Sequence, residues 1–242
     1  MENLRISSGD FDVDRFLGGG FENDIITTFY GPGGSGKSNF CMMACVSVAK
    51  HGGKVVFIDT EGGFSVDRFK QIHRGDAAEI KDSLGNVFLL KPVDFCEQEK
   101  SFETLAKYLK KESISLVVVD SIAMLYRLEL GEAIDSGDSD RIAAVNRKLA
   151  GQLRALNEIA RKQRIPVIVT NQVYSVFSKD EEKERKFSMV GGDLLRYWSK
   201  CLIELQVSGG RRKFVLRKHR SLPNKEFYFD IVNAGVKKRG IF

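Results

Sequence analysis

The sequence predicts an α/β fold: a mostly parallel central sheet flanked by helices, with strands or a hairpin at the C-terminal end. Three observations carry that prediction. Short apolar runs rich in β-branched residues alternate with longer segments of helical period. A glycine-rich segment stands between the first long run and the helix after it. The chain has 242 residues and is 43% hydrophobic, enough for one sizeable core.

In chain order, residues 11–17 form a short apolar segment, and Gly18-Gly19-Gly20 after it reads as a helix C-cap. Runs at 25–30, 55–59, 87–90, 114–120 and 165–170 read as buried strands. Helices are expected at 39–51, 66–82, 97–112 and 140–163. In the last of these Ile142, Val145, Leu149, Leu153, Leu156 and Ala160 share one stripe. Residues 174–190 are polar, charge-balanced and irregular, and are expected to form a mobile loop. Beyond them 202–207, 212–217 and 225–232 read as strands, separated by the turns Ser208-Gly209-Gly210 and Leu222-Pro223-Asn224. With no Pro/Gly/Ser-rich linker and no internal repeat, residues 1–242 are read as a single domain.

Composition removes several function classes. The longest apolar stretch, 40–49, falls well short of the roughly 18 residues a membrane span needs. The opening residues carry acid and no apolar run, so no signal peptide is visible, and a cytoplasmic protein without a membrane partner is expected. Cys41, Cys45, Cys96 and Cys201 show no Cys-x-x-Cys spacing, which points to free thiols rather than a disulfide framework or structural zinc. The formal net charge is +6, and its distribution is uneven. Residues 1–200 hold 28 Lys/Arg against 29 Asp/Glu, whereas 201–242 hold 10 against 3. Such a local excess suits a polyanion, because neutralised phosphates release counterions; a solvated basic face is the alternative.

The segment Gly31-Pro32-Gly33-Gly34-Ser35-Gly36-Lys37-Ser38 fits G-x-x-x-x-G-K-[ST] at every fixed position, between a strand and a helix. Glycines at these positions let backbone N–H groups face phosphates. Gly31, Gly33, Gly34, Ser35, Gly36, Lys37, Ser38 and Asn39 are therefore the expected nucleotide-binding residues. Lys37 is expected to reach the β- and γ-phosphates and Ser38 to ligate Mg²⁺. A second Mg²⁺ ligand is expected at the tip of a buried strand, and Leu116-Val117-Val118-Val119-Asp120 supplies it in Asp120. Hydrolysis also needs a base for water. Asp59 ends the strand at 55–59 and Glu61 sits just past it, and composition leaves open which of them serves.

Four segments together resemble the RecA family of recombinase ATPases: Tyr30 to Ser38, Asp59-Thr60-Glu61-Gly62-Gly63-Phe64, Val118 to Arg127, and Thr170-Asn171-Gln172-Val173. They span residues 30–173, and the similarity of layout extends over nearly the whole chain. The resemblance implies a RecA-type phosphate-loop ATPase core that uses ATP and Mg²⁺. It implies catalytic roles for Lys37, for Glu61 as the water-activating carboxylate, and for Gln172 as a polar sensor of the γ-phosphate. It further implies a weak DNA-dependent ATPase that binds DNA, single strands preferred, and assists the RadA recombinase in homologous recombination and repair, with a Holliday junction resolvase as a further partner.

Two departures from that family qualify its implications. No Phe-x-x-Ala, the segment by which full-length archaeal and eukaryotic members dock on one another, occurs in the chain, which points to an accessory paralog rather than a filament former. The first DNA loop of the family falls at 129–140, which here carries Glu129, Glu132, Asp135, Asp138 and Asp140 and no Lys or Arg, so it would repel phosphate. Contact with DNA is therefore expected from Arg211, Arg212, Lys213, Arg217, Lys218 and Arg220. Alternation along an extended 212–217 would put Arg217 and His219 on one side and Lys218 and Arg220 on the other. Phe214 is either a stacking platform or core. Lys218-x-Arg220 also resembles the trans-acting pair of KaiC and DnaB-type ATPases, which leaves a KaiC-like oligomeric signalling ATPase, acting on proteins alone, as the alternative.

Overall fold

The computed structural model describes residues 5–175, 187–189 and 192–240. Its strands are β1 (Arg5–Ile6), β2 (Phe21–Glu22), β3 (Ile26–Gly31), β4 (Lys54–Asp59), β5 (Val87–Leu90), β6 (Ile114–Asp120), β7 (Val167–Ser175), β8 (Phe187–Met189), β9 (Cys201–Ser208), β10 (Arg211–Lys218), β11 (Lys225–Val232) and β12 (Gly235–Lys238). Its helices are α1 (Phe11–Phe16), α2 (Lys37–Lys50), α3 (Val66–His73), α4 (Ala77–Gly85), α5 (Phe95–Lys111), α6 (Met124–Asp135), α7 (Ser139–Gln163) and α8 (Gly192–Trp198).

The main sheet runs β12-β11-β10-β9-β3-β7-β6-β4-β5, with β8 paired to β7. From β5 to β9 neighbouring strands are parallel; β9 to β12 form an antiparallel meander. Both faces of the parallel part are covered, as its nearly continuous apolar strands require. Alternate residues serve opposite faces. Val55 and Phe57 pack toward α2, while Val56 and Ile58 pack toward α5, α6 and α7. The register sets Gly31 opposite Gln172 and Asp59 opposite Asp120, so the chemistry-bearing residues meet at the carboxyl edge of the sheet.

The α/β class and the C-terminal strands match the sequence expectation, and four local readings change. The helix expected at 66–82 is two helices. Arg74 takes a left-handed φ of 56°, and Asp76 with Glu79 forms a capping box that starts α4. The acidic segment 129–140 is not a loop, because α6 runs through Asp135 and α7 starts at Ser139. Leu125, Tyr126 and Ala133 are buried, and Arg141 bridges Glu129 and Glu132, each at 2.9 Å. The loop expected at 174–190 is shortened at both ends, since Val173, Tyr174 and Ser175 pair with Met189, Ser188 and Phe187; residues 176–186 lie outside the described residues. Finally, β12 and the small β1–β2 sheet were too short for their patterns to register in the sequence.

Phe214 belongs to the core and is no stacking platform: it is fully buried, with ring centroids 5.0 to 6.0 Å from Phe16, Phe29, Phe40 and Phe227. This cluster welds the meander to α1, β3 and α2. Phe214→Ala is expected to destabilise the protein by about 3–5 kcal/mol, read as a shifted denaturant midpoint at unchanged m-value.

Candidate functional site

The glycine-rich loop is built by close approach. Gly31 ends β3 at φ 155°, and a Cβ there would come within 2.2 Å of the Leu205 carbonyl oxygen on β9, so the residue must be glycine. Gly36, at φ 105°, turns the chain into α2, whose first two residues are Lys37 and Ser38. No atom lies within 4 Å of the Cβ positions of Gly33 and Gly34, which leaves the loop open on that side. Inside it Ser35 Oγ is buried with no hydrogen-bond partner. A buried, unpaired hydroxyl in a ring of backbone amides at a helix N-terminus fits an anionic group such as phosphate.

Lys37 lies over this loop, its Nζ donating to the carbonyl oxygens of Gly31 and Pro32, both at 2.9 Å. Burial pulls its pKa below the usual lysine value, while the charges of Glu61 and Asp120 act in the opposite sense. Asp120 is almost completely buried at the tip of β6. Its Oδ1 accepts a hydrogen bond of 2.5 Å from Thr170 Oγ1, and its carboxylate is also bonded to the side chain of Ser38. Burial pushes the Asp120 pKa up, against those two bonds. A hydroxyl and a carboxylate are hard oxygen donors of the kind Mg²⁺ takes, and Ser38 Oγ and Asp120 Oδ2 lie beside each other at Gly63, each 3.5 Å from where its Cβ would sit. The donor set fits the metal.

Asp59 and Glu61 differ in what holds them. Asp59 is buried and spends both oxygens on its own loop, accepting from the backbone N–H of Gly63 at 3.0 Å and of Phe64 at 2.9 Å. Glu61 is exposed at the same edge, and its Oε1 accepts a 2.7 Å hydrogen bond from Gln172 Nε2. The two residues assigned to water and to phosphate sensing thus touch each other across β4 and β7.

Asn39, expected at the nucleotide, is turned to the protein. Its amide donates to Gly235 O at 3.2 Å and its Oδ1 accepts from Arg68 Nε at 3.0 Å and Nη2 at 2.6 Å. Sequence reading missed Arg68, which also reaches the carbonyls of Val232, Asn233 and Gly235 and so pins the β11–β12 turn to the first turn of α2. It also missed Thr170, a small hydroxyl that no charge or glycine pattern picks out.

The basic block does not form one surface. Lys218 Nζ donates to the carbonyls of Arg196 and Ser199, at 2.7 and 2.8 Å. Arg220 bonds Glu22 at 2.6 Å and Asp24 at 3.0 Å, and His219 lies 3.9 Å from the same buried Glu22, which Arg5 also pairs. Arg217 pairs with Glu204 at 2.5 Å, and Lys213 with Glu226 at 2.9 Å. The expected alternation of 217–220 fails because the pairing of β10 with β9 slips between Leu216 and Lys218 and the strand ends there, leaving His219 and Arg220 on the same carboxylate. Arg211 is exposed, and the guanidinium of Arg212 stands 3.4 Å from Gly34 O, beside the phosphate loop.

The chain is similar to known proteins over nearly its whole length. A family model described as Rad51 matches residues 1–239. The chain is 39% identical to a protein of Methanothermobacter thermautotrophicus over 97% of this chain and 96% of that one. It is 38% identical to one of Methanobrevibacter smithii over 93% and 92%, and 37% identical to one of Methanocaldococcus jannaschii over 93% and 98%. Each of the three bears the name DNA repair and recombination protein RadB.

Because burial raises the Asp120 pKa, the folded state keeps that proton to higher pH than the unfolded chain does. The corresponding stability is present at low pH and lost as pH rises through the folded-state value, so the group opposes folding wherever it is ionised. Asp120→Asn, which keeps an acceptor for Thr170, is expected to melt above wild type in EDTA without nucleotide while losing Mg²⁺-dependent nucleotide binding. A lower melting temperature would mean that the carboxylate's bonds to Ser38 and Thr170 outweigh its burial.

Proposed function

The chain belongs to the Rad51 family, and from that premise we propose that it is an ATP-binding accessory protein of DNA recombination and repair with slow ATP hydrolysis. The observation that carries the reading is the convergence of Lys37, Ser38, Asp120, Glu61 and Gln172 on one edge of the sheet around an open glycine loop. In this reading Lys37 leaves the Gly31 and Pro32 carbonyls to meet the β- and γ-phosphates. Ser38 and Asp120 hold Mg²⁺, which neutralises charge on the phosphate oxygens. Glu61 orients and deprotonates water, and Gln172 senses the γ-phosphate.

The Glu61–Gln172 hydrogen bond supports slow turnover, since each group must give up the other before it can act. DNA contact, single strands preferred, falls to Arg211, which is exposed, and Arg212, which stands beside the glycine loop; Lys213, Arg217, Lys218 and Arg220 are held by their own chain. The same inward engagement of Lys218 and Arg220, together with the repair names of the relatives, weighs against a KaiC-like signalling ATPase. The RadA recombinase and a Holliday junction resolvase are the partner proteins of this reading.

Glu61→Gln is expected to keep ATP affinity and lose hydrolysis by at least about 10²-fold; unchanged turnover would remove Glu61 from the mechanism. Fluorescence anisotropy with a single-stranded oligonucleotide across a salt series tests the DNA assignment. Neutralising Arg211 and Arg212 together should reduce the salt slope by about 0.7 per lost contact, with Lys37→Ala close to wild type. An unchanged slope would move the DNA surface elsewhere, and no binding at low salt would sink the recombination reading itself.

A further inference from the structure

The outer face of the C-terminal meander carries an aromatic ring that the core does not take in. Side chains alternate along β10 and β11. Phe214, Leu216, Phe227 and Phe229 enter the core, which turns Arg211, Lys213 and Tyr228 to the opposite face. Tyr228 lies directly across from Lys213, with Arg211 as its diagonal neighbour. It keeps 42% of its surface exposed in the middle of a strand.

Two depressions meet at Arg211 and Tyr228, which line both. One, of about 530 Å³, extends toward Gln206 and Lys213. The other, of about 610 Å³, occupies the notch where β12 stops: β12 pairs with Phe229–Val232 of β11 only, and beside the rest of β11 the walls are Phe16, Phe227 and Lys238. Together they make one groove with the Tyr228 ring at its divide.

The charge of this groove is one-sided. Its lining holds four cations, Arg211, Lys213, Lys238 and Arg239, against one carboxylate, Glu226. Glu226 is taken by Lys213 at 2.9 Å, and Arg239 is offset by Asp230 at 2.6 Å. Arg211 and Lys238 remain, both exposed and neither in an ion pair among the described residues. Lys225 adds a further cation 4.6 Å from the centroid of the Phe16 ring. Lys213 also bonds the Tyr228 side chain, which fixes the ring by its hydroxyl end.

We propose that this groove carries single-stranded nucleic acid, with an unpaired base stacked on Tyr228 and flanking phosphates on Arg211 and Lys238. An exposed ring between two unmatched cations suits a chain in which flat bases alternate with phosphates. A duplex keeps its bases stacked on one another and has none to offer the ring. Tyr228 therefore supplies the preference for single strands, whereas Arg211 alone would bind any phosphate backbone. An acidic peptide shares the charge but brings no repeating flat ring. The inference rests on the DNA-binding reading above and adds Tyr228 and Lys238 to it.

The test is fluorescence anisotropy of the full chain with three labelled probes: a thymine oligonucleotide, an abasic deoxyribose-phosphate chain of the same length, and a duplex. Wild type is expected to bind the oligonucleotide most tightly. Tyr228→Ser should weaken that binding about tenfold at unchanged salt slope and leave the other two probes unchanged, and Tyr228→Trp should restore it. Arg211→Gln with Lys238→Gln should lower the salt slope for all three probes. The three side chains lie at the surface, so melting temperature and ATP binding are expected to stay at wild-type values. Equal affinity of Tyr228→Ser and wild type for the oligonucleotide, or an equal loss on the abasic chain, would overturn the proposal and leave the DNA reading standing. A wild type that binds no probe at low salt would overturn both. Displacement of the oligonucleotide by polyglutamate at equal charge would also overturn the proposal, by showing a surface that attracts any polyanion.

Discussion

Asp120 is the residue around which the edge of the sheet is organised. A carboxylate with almost no solvent contact has to be compensated within the protein, and the means of compensation fix its neighbours. Thr170 donates its single hydroxyl proton to Asp120 Oδ1 while accepting from the backbone N–H of Ser121 at 2.7 Å. Thr60 reaches over from β4 to the carbonyls of Asp120 and Ser121, at 3.0 and 2.8 Å. The tips of β4, β6 and β7 are thereby tied by side-chain hydroxyls just where the ladder runs out. Ser121 pays for the arrangement with a left-handed φ of 65°, a conformation that disfavours a non-glycine residue by roughly 1–2 kcal/mol. Strain beside a buried charge is stable only if the surroundings hold both, and the three hydroxyl bonds do so.

Glu22 shows the same rule at the other end of the parallel sheet. It is a buried carboxylate on β2, compensated by Arg5 and Arg220, with His219 nearby. Burial holds the His219 pKa below its ordinary value, and its Nδ1 accepts from the backbone N–H of Ser221 and Leu222, so the ring proton belongs on Nε2, toward Glu22. The dense run Arg217-Lys218-His219-Arg220 is accordingly spent on closing the chain after β10. Charge counting along the sequence could not show this, because the acids that neutralise the run, Glu22, Asp24 and Glu204, are brought to it only by the fold.

That contrast marks what the sequence made legible. The phosphate loop was plain because its chemistry is backbone chemistry: glycines at fixed spacing are demanded by φ angles and close approach, and both leave a sequence trace. Asp120 was plain because four apolar residues before it announce a buried strand. The choice between Asp59 and Glu61 was not, since it depends on which carboxylate turns back onto the N–H groups of Gly63 and Phe64. The split of 66–82 into two helices was written in Asp76 and Glu79, whose capping box outweighs the continuing helical composition. The acidic stretch at 129–140 was read as a loop from the family resemblance, yet helices cover most of it, and two of its acids, Glu129 and Glu132, are offset by Arg141 from the following helix, a pairing across a turn that linear composition does not reveal.

The network that sequence reading missed altogether, Arg68 with Asn39 and Gly235, joins the first turn of α2 to the β11–β12 turn. Asn39 is two residues after Lys37, in the first turn of α2, and Arg68 fastens it to the carbonyls at the β11–β12 turn. Ile231, on the strand leading into that turn, lies 3.2 Å from where a Cβ of Gly36 would sit, so the hairpin packs directly on the phosphate loop. A shift of the first turn of α2 must therefore either break the Arg68 bonds or carry the hairpin with it, and close packing of Ile231 and Phe229 against Gly36 makes the second course the less costly. The hairpin is held to the start of α2 by the Arg68 guanidinium, by the Asn39 amide on the Gly235 carbonyl and by the packing of Ile231 on Gly36.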